Sequence, residues 1–179
     1  ICRFKKHLLL RSILEKLNLD SNEYVLVTCH RRENHIWLES ILNAVEYVSD
    51  KYKIVLPVHM NPEVRNKITT KFKNNKNVIL TESLPYVDMI NIIKHCKFII
   101  SDSGGIQEEA PSFNKFVYVL RTHTERNQSV ELGYSKLVGN KYEDIVSAIN
   151  EHKDIMNMIN PYGDGYVSDK ILEILKNEL

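Results

Sequence analysis

Cysteine is scarce in this chain. Cys2, Cys29 and Cys96 are odd in number, suit no disulfide framework and match no metal-ligand spacing. Two of them lie in or beside apolar, strand-like runs, which fits reduced core thiols of a cytoplasmic protein. Excess charge of either sign is lacking too. A formal net charge of +1, with acidic and basic residues interspersed, implies no nucleic-acid partner. Long hydrophobic runs are absent: Leu8-Leu9-Leu10 is flanked by charge and far too short for a membrane span or a signal-peptide core, so neither membrane nor targeting segment is expected. There is no Gly-x-Ser-x-Gly elbow, no Walker loop and no complete dinucleotide fingerprint after the first strand. Histidines and cysteines never approach ligand spacing, so no metal and no cofactor is expected. No internal repeat or low-complexity tract stands out.

What is present is a rhythm. At 179 residues the chain suits one domain with a real core. It opens at Ile1 rather than methionine, as expected of a processed product or a piece of something longer. Phe4, Leu8, Leu9, Ile13, Leu14 and Leu17 predict an amphipathic helix ending near Asn18, and Asp20 to Asn22 a turn. Tyr24 to Cys29 reads as a central parallel strand, rich in β-branched and aromatic residues. Further strands are predicted at Ile54–Leu56 with Val58, Val78–Leu80, Phe98–Ile100, Phe116–Leu120 and Lys136–Val138. Helical faces fall between them: Leu38 to Val48, Val64 to Phe72 after Pro62, and Met89 to Ile93 closing at His95. Helices are then expected over Ile145–Ile149, Ile155–Ile159 and Ile171–Leu175, with Asn160 to Gly165 as a proline and glycine turn. Alternating strands and helices make an α/β, Rossmann-like, three-layer parallel sheet with right-handed crossovers.

Such sheets bind ligands beyond the carboxyl ends of their strands, and three separated stretches end there. The run Ile99 to Ala110 reads as a buried strand that turns sharply on Gly104-Gly105 and becomes a helix, bringing bare amides to an anion. Glu108 and Glu109 then have two readings: complements to the helix dipole, or acceptors for a ligand hydroxyl such as a ribose diol. His30-Arg31-Arg32-Glu33-Asn34 sets an imidazole and two guanidiniums at the end of the first strand, able to fork onto phosphate or protonate a leaving oxygen. A surface loop in which Glu33 pairs with its own arginines is the alternative. His59 stands between prolines, as a turn residue or a second functional imidazole. Arg121, Thr124, Glu125 and Arg126 follow the fifth strand, as a further cation for the crevice or a surface ion pair. His7, His95, His123 and His152 lack partners at useful spacing and are expected at the surface or at helix ends.

In this order, His30–Asn34, Pro57–Pro62, Ser101–Ser112 and Asn160–Gly165, with Thr124-Glu125-Arg126 as a shorter echo, the residues resemble the carboxyl-terminal domain of the non-hydrolysing UDP-N-acetylglucosamine 2-epimerases. The resemblance spans nearly the whole chain. It implies one half of a GT-B fold, residues 1–179 forming a single UDP-binding domain without its amino-terminal partner, and a helix 168–179 that crosses to that partner. It implies UDP or UDP-N-acetylglucosamine as ligand, a homodimer, and interconversion of UDP-N-acetylglucosamine with its manno epimer through UDP elimination and re-addition. By the same resemblance Ser103, Gly104 and Gly105 hold the diphosphate, Glu109 the ribose, Arg126 and a catalytic His30 the phosphate side, and the uracil lies near Met89. Arg31, Glu33 and His59 match positions that bind a second, activating nucleotide sugar. A hydrolysing relative, another GT-B nucleotide-sugar enzyme and a non-catalytic UDP-binding remnant remain as alternatives. Where the family usually has Gly-Lys-Pro, this chain has Asn114-Lys115-Phe116.

Overall fold

The computed structural model describes residues 12–178. Six short strands form one parallel sheet in the order β3-β2-β1-β4-β5-β6. They are β1 (Tyr24–Thr28), β2 (Lys53–Pro57), β3 (Val78–Thr81), β4 (Ile99–Ser101), β5 (Val117–Val119) and β6 (Ser135–Leu137). Between and around them lie helices α1 (Ser12–Lys16), α2 (Leu38–Ser49), α3 (Pro62–Phe72), α4 (Tyr86–His95), α5 (Gly104–Glu109), α6 (Asn127–Glu131), α7 (Tyr142–Asn150) and α8 (Val167–Glu178). The chain starts mid-sheet at β1, winds outward through β2 and β3, then returns to place β4 on the other flank of β1. That reversal creates the switch point at which doubly wound sheets hold their ligands.

Strand alternation builds the two cores. Val25, Val27, Ile54, Leu56, Ile100 and Tyr118 pack on one face with α2, α3 and α7, whereas Tyr24, Leu26, Val55, Ile99, Val117 and Val119 pack on the other with α1, α4 and α5. Every residue of β1 is buried, as a central parallel strand requires. Helix α3 begins as its sequence suggests: Pro62 occupies the first turn and the Asn61 side chain accepts the Glu63 N–H at 2.9 Å. The Ile13, Leu14 and Leu17 end of the first predicted helix packs on the second core, and Asn18 leaves it with positive φ. Phe4, Leu8, Leu9, Cys2 and His7 lie outside the described residues. Cys29 and Cys96 are free, buried thiols. Among the described residues no helix is long and apolar enough to cross a membrane.

Two expectations need correction. Residues 155–159 are not helical. Asn157 takes a positive φ, the Met158 N–H donates to Asn114 Oδ1 at 2.8 Å and the Ile159 N–H to Tyr134 Oη at 3.2 Å, so other elements claim the donors a helix would use. Pro161 also disfavours a helix at the residue before it. Asn114 itself sits at φ 57, the left-handed conformation that glycine or asparagine adopts cheaply, which accounts for its standing where the family usually has glycine. Nor is His152 at the surface, although it does stand just past the end of α7. Its ring is 4.5 Å from Phe98, meets Tyr118 Oη at 2.9 Å through Nδ1, and pairs with Asp154 through Nε2. Burial, only partly offset by Asp154, lowers its pKa. His95 closes α4, as expected, and bonds Ser21 Oγ at 2.8 Å.

Phe98 is fully buried with Tyr52, Tyr118 and His152 around it. Phe98→Ala is therefore expected to cost about 3–5 kcal/mol, read as a lower denaturant midpoint at unchanged slope; a loss under about 1 kcal/mol contradicts this packing.

Candidate functional site

The carboxyl ends of β1 and β4 are joined by a single buried carboxylate. Asp102, 0% exposed, follows β4 and accepts the His30 N–H (3.2 and 3.0 Å to its two oxygens), the Arg31 N–H (2.9 Å) and the Asn34 side-chain N–H (3.0 Å). The His30 ring closes the arrangement, with Nδ1 2.8 Å from Asp102 Oδ1. Arg31 Nε returns a bond to the Asp102 carbonyl, and the Asn34 amide also reaches the Leu120 carbonyl beyond β5. The loop after β1 is thus folded around a charge delivered by β4. Burial alone would raise the Asp102 pKa, but the hydrogen bonds from His30, Arg31 and Asn34 outweigh it and hold the group below the ordinary value. The same bond raises the His30 pKa against the desolvation that would lower it. With Nδ1 committed to Asp102 and the side chain 46% exposed, Nε2 is the ring nitrogen left to face a ligand.

Beyond Asp102 the chain turns at Ser103, whose extended backbone and Oγ cap α5 through the Ile106 N–H. This corrects the expected bend on two glycines. Gly104 and Gly105 lie inside the first turn of α5 with no positive φ, and their value is closeness. A β-carbon on Gly104 would stand 3.1 Å from the Arg126 guanidinium carbon, whereas one on Gly105 would meet nothing nearer than Ser103 Oγ at 3.9 Å. As the first two residues of a helix, both present amides without an intrahelical acceptor. Glu108 and Glu109 end α5 rather than open it, so neither complements the helix start. Glu108 holds Arg126, Oε1 to Nε and to Nη2 at 2.8 Å each. Glu109 accepts from Tyr86 Oη at 2.9 Å, and burial raises its pKa; the tyrosine is itself pushed up to about 12 by burial and this carboxylate.

A cleft of about 300 Å³ opens beside these groups, lined among others by His30, His59, Met89, Ser103 and Ile106. The structure therefore brings together His30, Ser103, Met89 and His59, with Gly104, Gly105 and Arg126 adjoining through α5. Glu109 sits at the far end of that helix. Arg31 and Glu33 turn elsewhere: Glu33 lies 3.3 Å from Arg121 and 3.9 Å from Arg31, so its nearer partner is not in its own loop. His59 Nδ1 accepts the Asn61 N–H at 3.1 Å. Several residues here were not singled out from sequence. Gln107 spans from the Ser103 carbonyl to Thr124 Oγ1, which receives the Arg126 N–H. Asn160 bonds the Glu108 carbonyl and Ser112 Oγ, while Tyr162 Oη donates to the Arg126 carbonyl. The Asn160–Gly165 turn thus braces α5 and the Arg126 loop from behind.

Asp102→Asn replaces a buried acceptor by a group whose N–H₂ must oppose other N–H donors. Stability is expected to fall by about 2–4 kcal/mol, and the His30 pKa to drop in an NMR titration. Because the folded pKa of His30 is raised, its pairing stabilises fully below the unfolded value near 6.5 and is lost as pH climbs through the folded value. The gap between wild type and variant should narrow over that window; a gap independent of pH would remove His30 from the explanation.

Comparison with known proteins agrees with this fold. The family model of UDP-N-acetylglucosamine 2-epimerase matches residues 3–176. A putative UDP-N-acetylglucosamine 2-epimerase of Thermotoga maritima is 35% identical over 185 residues, covering 97% of this chain and 49% of that protein. In structure, the S. aureus MnaA–UDP complex superposes with TM-score 0.83 at 39% identity over 92% of this chain and 48% of its own. The Neisseria meningitidis UDP-GlcNAc 2-epimerase bound to UDP-GlcNAc does so with TM-score 0.84 at 34% identity, over 99% and 50%. The chain spans about half the length of the curated relatives it matches. Matched by the family model over residues 3–176, this chain belongs to the UDP-N-acetylglucosamine 2-epimerase family.

Proposed function

We propose that this chain is the carboxyl-terminal, UDP-binding half of a UDP-N-acetylglucosamine 2-epimerase, an isomerase that interconverts UDP-N-acetylglucosamine and UDP-N-acetylmannosamine. The observation that carries this reading is that His30 and Ser103 line one cleft while Gly104, Gly105 and the Arg126 guanidinium adjoin it at the start of α5, in a chain whose relatives have been solved with UDP and UDP-GlcNAc. The diphosphate lies against Ser103, Gly104 and Gly105, the Arg126 guanidinium and His30 meet its oxygens, Glu109 takes the ribose, and Met89 borders the uracil. In the reaction a base removes the proton at C2 while the C1–O bond breaks. The electron pair of that bond departs on UDP and a C1=C2 glycal remains. Re-addition of UDP at C1 with protonation of the other face of C2 gives the epimer. His30, protonated more readily because of Asp102, donates from Nε2 to the departing oxygen.

The carboxylates that work at C2 belong, on this reading, to an amino-terminal half, so residues 1–179 bind UDP without turning over. Helix 168–179 crosses to that half. Its described part carries an exposed apolar stripe of Ile171, Leu172, Ile174 and Leu175. Arg31, Glu33 and His59 face a second nucleotide sugar in the assembled protein, which works in the cytoplasm as a homodimer.

Gly105→Ala separates ligand contact from folding. The free protein has room for the methyl, and alanine in a helix is favoured over glycine by about 0.5–1 kcal/mol, so stability should hold or rise. Calorimetry should nonetheless show UDP affinity reduced about tenfold or more, as one displaced charge-assisted hydrogen bond implies; unchanged affinity overturns the assignment. Epimerase turnover by the isolated 179-residue chain would likewise overturn its reading as a half-enzyme.

A further inference from the structure

An unbroken file of alternating charges runs along the rim. Arg31 lies 3.9 Å from Glu33, and Glu33 3.3 Å from Arg121 Nε. Arg121 forks onto Glu125 at 3.0 and 3.1 Å, Glu125 reaches Arg126 at 3.4 Å, and Arg126 rests on Glu108 at 2.8 Å. One member differs from the rest. The Arg121 side chain is 2% exposed, whereas its two carboxylate partners are more than half exposed. A guanidinium does not deprotonate in a protein, so it must be compensated where it lies. It also cannot follow its partners, because its N–H is held by the Val119 carbonyl at 2.8 Å and its carbonyl by the Gly139 N–H at 3.2 Å. The carboxylates come to it. Glu125 Oε2 is then shared unequally between two arginines, 3.0 Å to Arg121 and 3.4 Å to Arg126.

We propose that Arg121 is a positioning residue for Arg126: it holds the Glu125 carboxylate that both arginines share, and how much of that carboxylate is left for Arg126 is set by Glu33 on the far side of Arg121. Only what Arg126 does once placed, which is to meet a diphosphate, rests on the function proposed above. Removal of the Glu33 charge leaves Arg121 with a single carboxylate. Glu125 is then drawn further onto Arg121, its longer arm to Arg126 weakens, and Arg126 becomes freer to turn to an anionic ligand. The coupling runs through contacts rather than through solvent, where exposed charges are screened beyond about 8 Å at physiological salt.

The test uses wild type, Glu33→Gln, Glu125→Gln and the double variant, each first shown to fold by its denaturant midpoint, because the substitutions take carboxylate partners from the buried Arg121. Arginine Nε–H resonances without ligand and UDP affinity by calorimetry are measured at about 0.15 M salt. Glu33→Gln is expected to move the Arg126 Nε–H resonance and to tighten UDP binding about threefold, the size of a weak ion-pair rearrangement, and to do neither when Glu125 is already glutamine. An unmoved Arg126 resonance, or an equal effect of Glu33→Gln in both backgrounds, overturns the proposal. Should wild type bind no UDP while the Arg126 resonance responds as expected, the nucleotide reading fails and the coupling stands.

Discussion

A carboxylate without solvent at the end of β4 is the constraint around which the rim is built. Isolated, an ionised Asp102 would be expensive; it persists because main-chain and side-chain donors from the next strand over converge on it. Those donors belong to one short loop, so compensating the charge also fixes where His30 points, which of its nitrogens is occupied and where Arg31 starts. The β1/β4 switch point supplies a crevice in any doubly wound sheet. Asp102 turns that generic crevice into a site with a defined imidazole.

From this anchor the rest follows by short links. Ser103, next in the chain, caps α5; Gln107, one turn on, ties α5 to Thr124; and Thr124 takes the Arg126 N–H. Arg126 can lie across the start of α5 because residue 104 has no side chain to keep it away. Behind this layer the Asn160–Tyr162 turn grips α5 and the Arg126 carbonyl, so a segment distant in sequence stiffens the loop without entering the cleft. Electrostatics is local throughout: the chain as a whole is almost neutral, and the rim gains its character from a few desolvated pairs.

The sheet was legible because buried parallel strands leave short apolar runs such as Tyr24–Thr28 and Ile99–Ile100, and because α2 and α3 carry clean helical stripes. The rim positions were legible from the rule that places strand ends together. Three kinds of feature were not. Residues 155–159 carry apolar spacing but give their donors to Asn114 and Tyr134, far away in sequence. His152 has only Asp154 as a local partner and finds Phe98 and Tyr118 only after folding. Asp102 looks like one more polar residue before glycine. Nothing in its neighbours shows that its partners lie some seventy positions earlier. Local periodicity reports burial, whereas these roles depend on long-range bonds between side chains and main chain.

The most direct test of this account is a crystal structure of the chain with UDP bound. It should show the diphosphate against the Gly104 and Gly105 amides, with Arg126 and His30 Nε2 in hydrogen-bond reach and His30 Nδ1 still on Asp102. A diphosphate bound elsewhere, or a His30 ring turned off Asp102 to meet it, would contradict the claim that this one buried carboxylate organises the site.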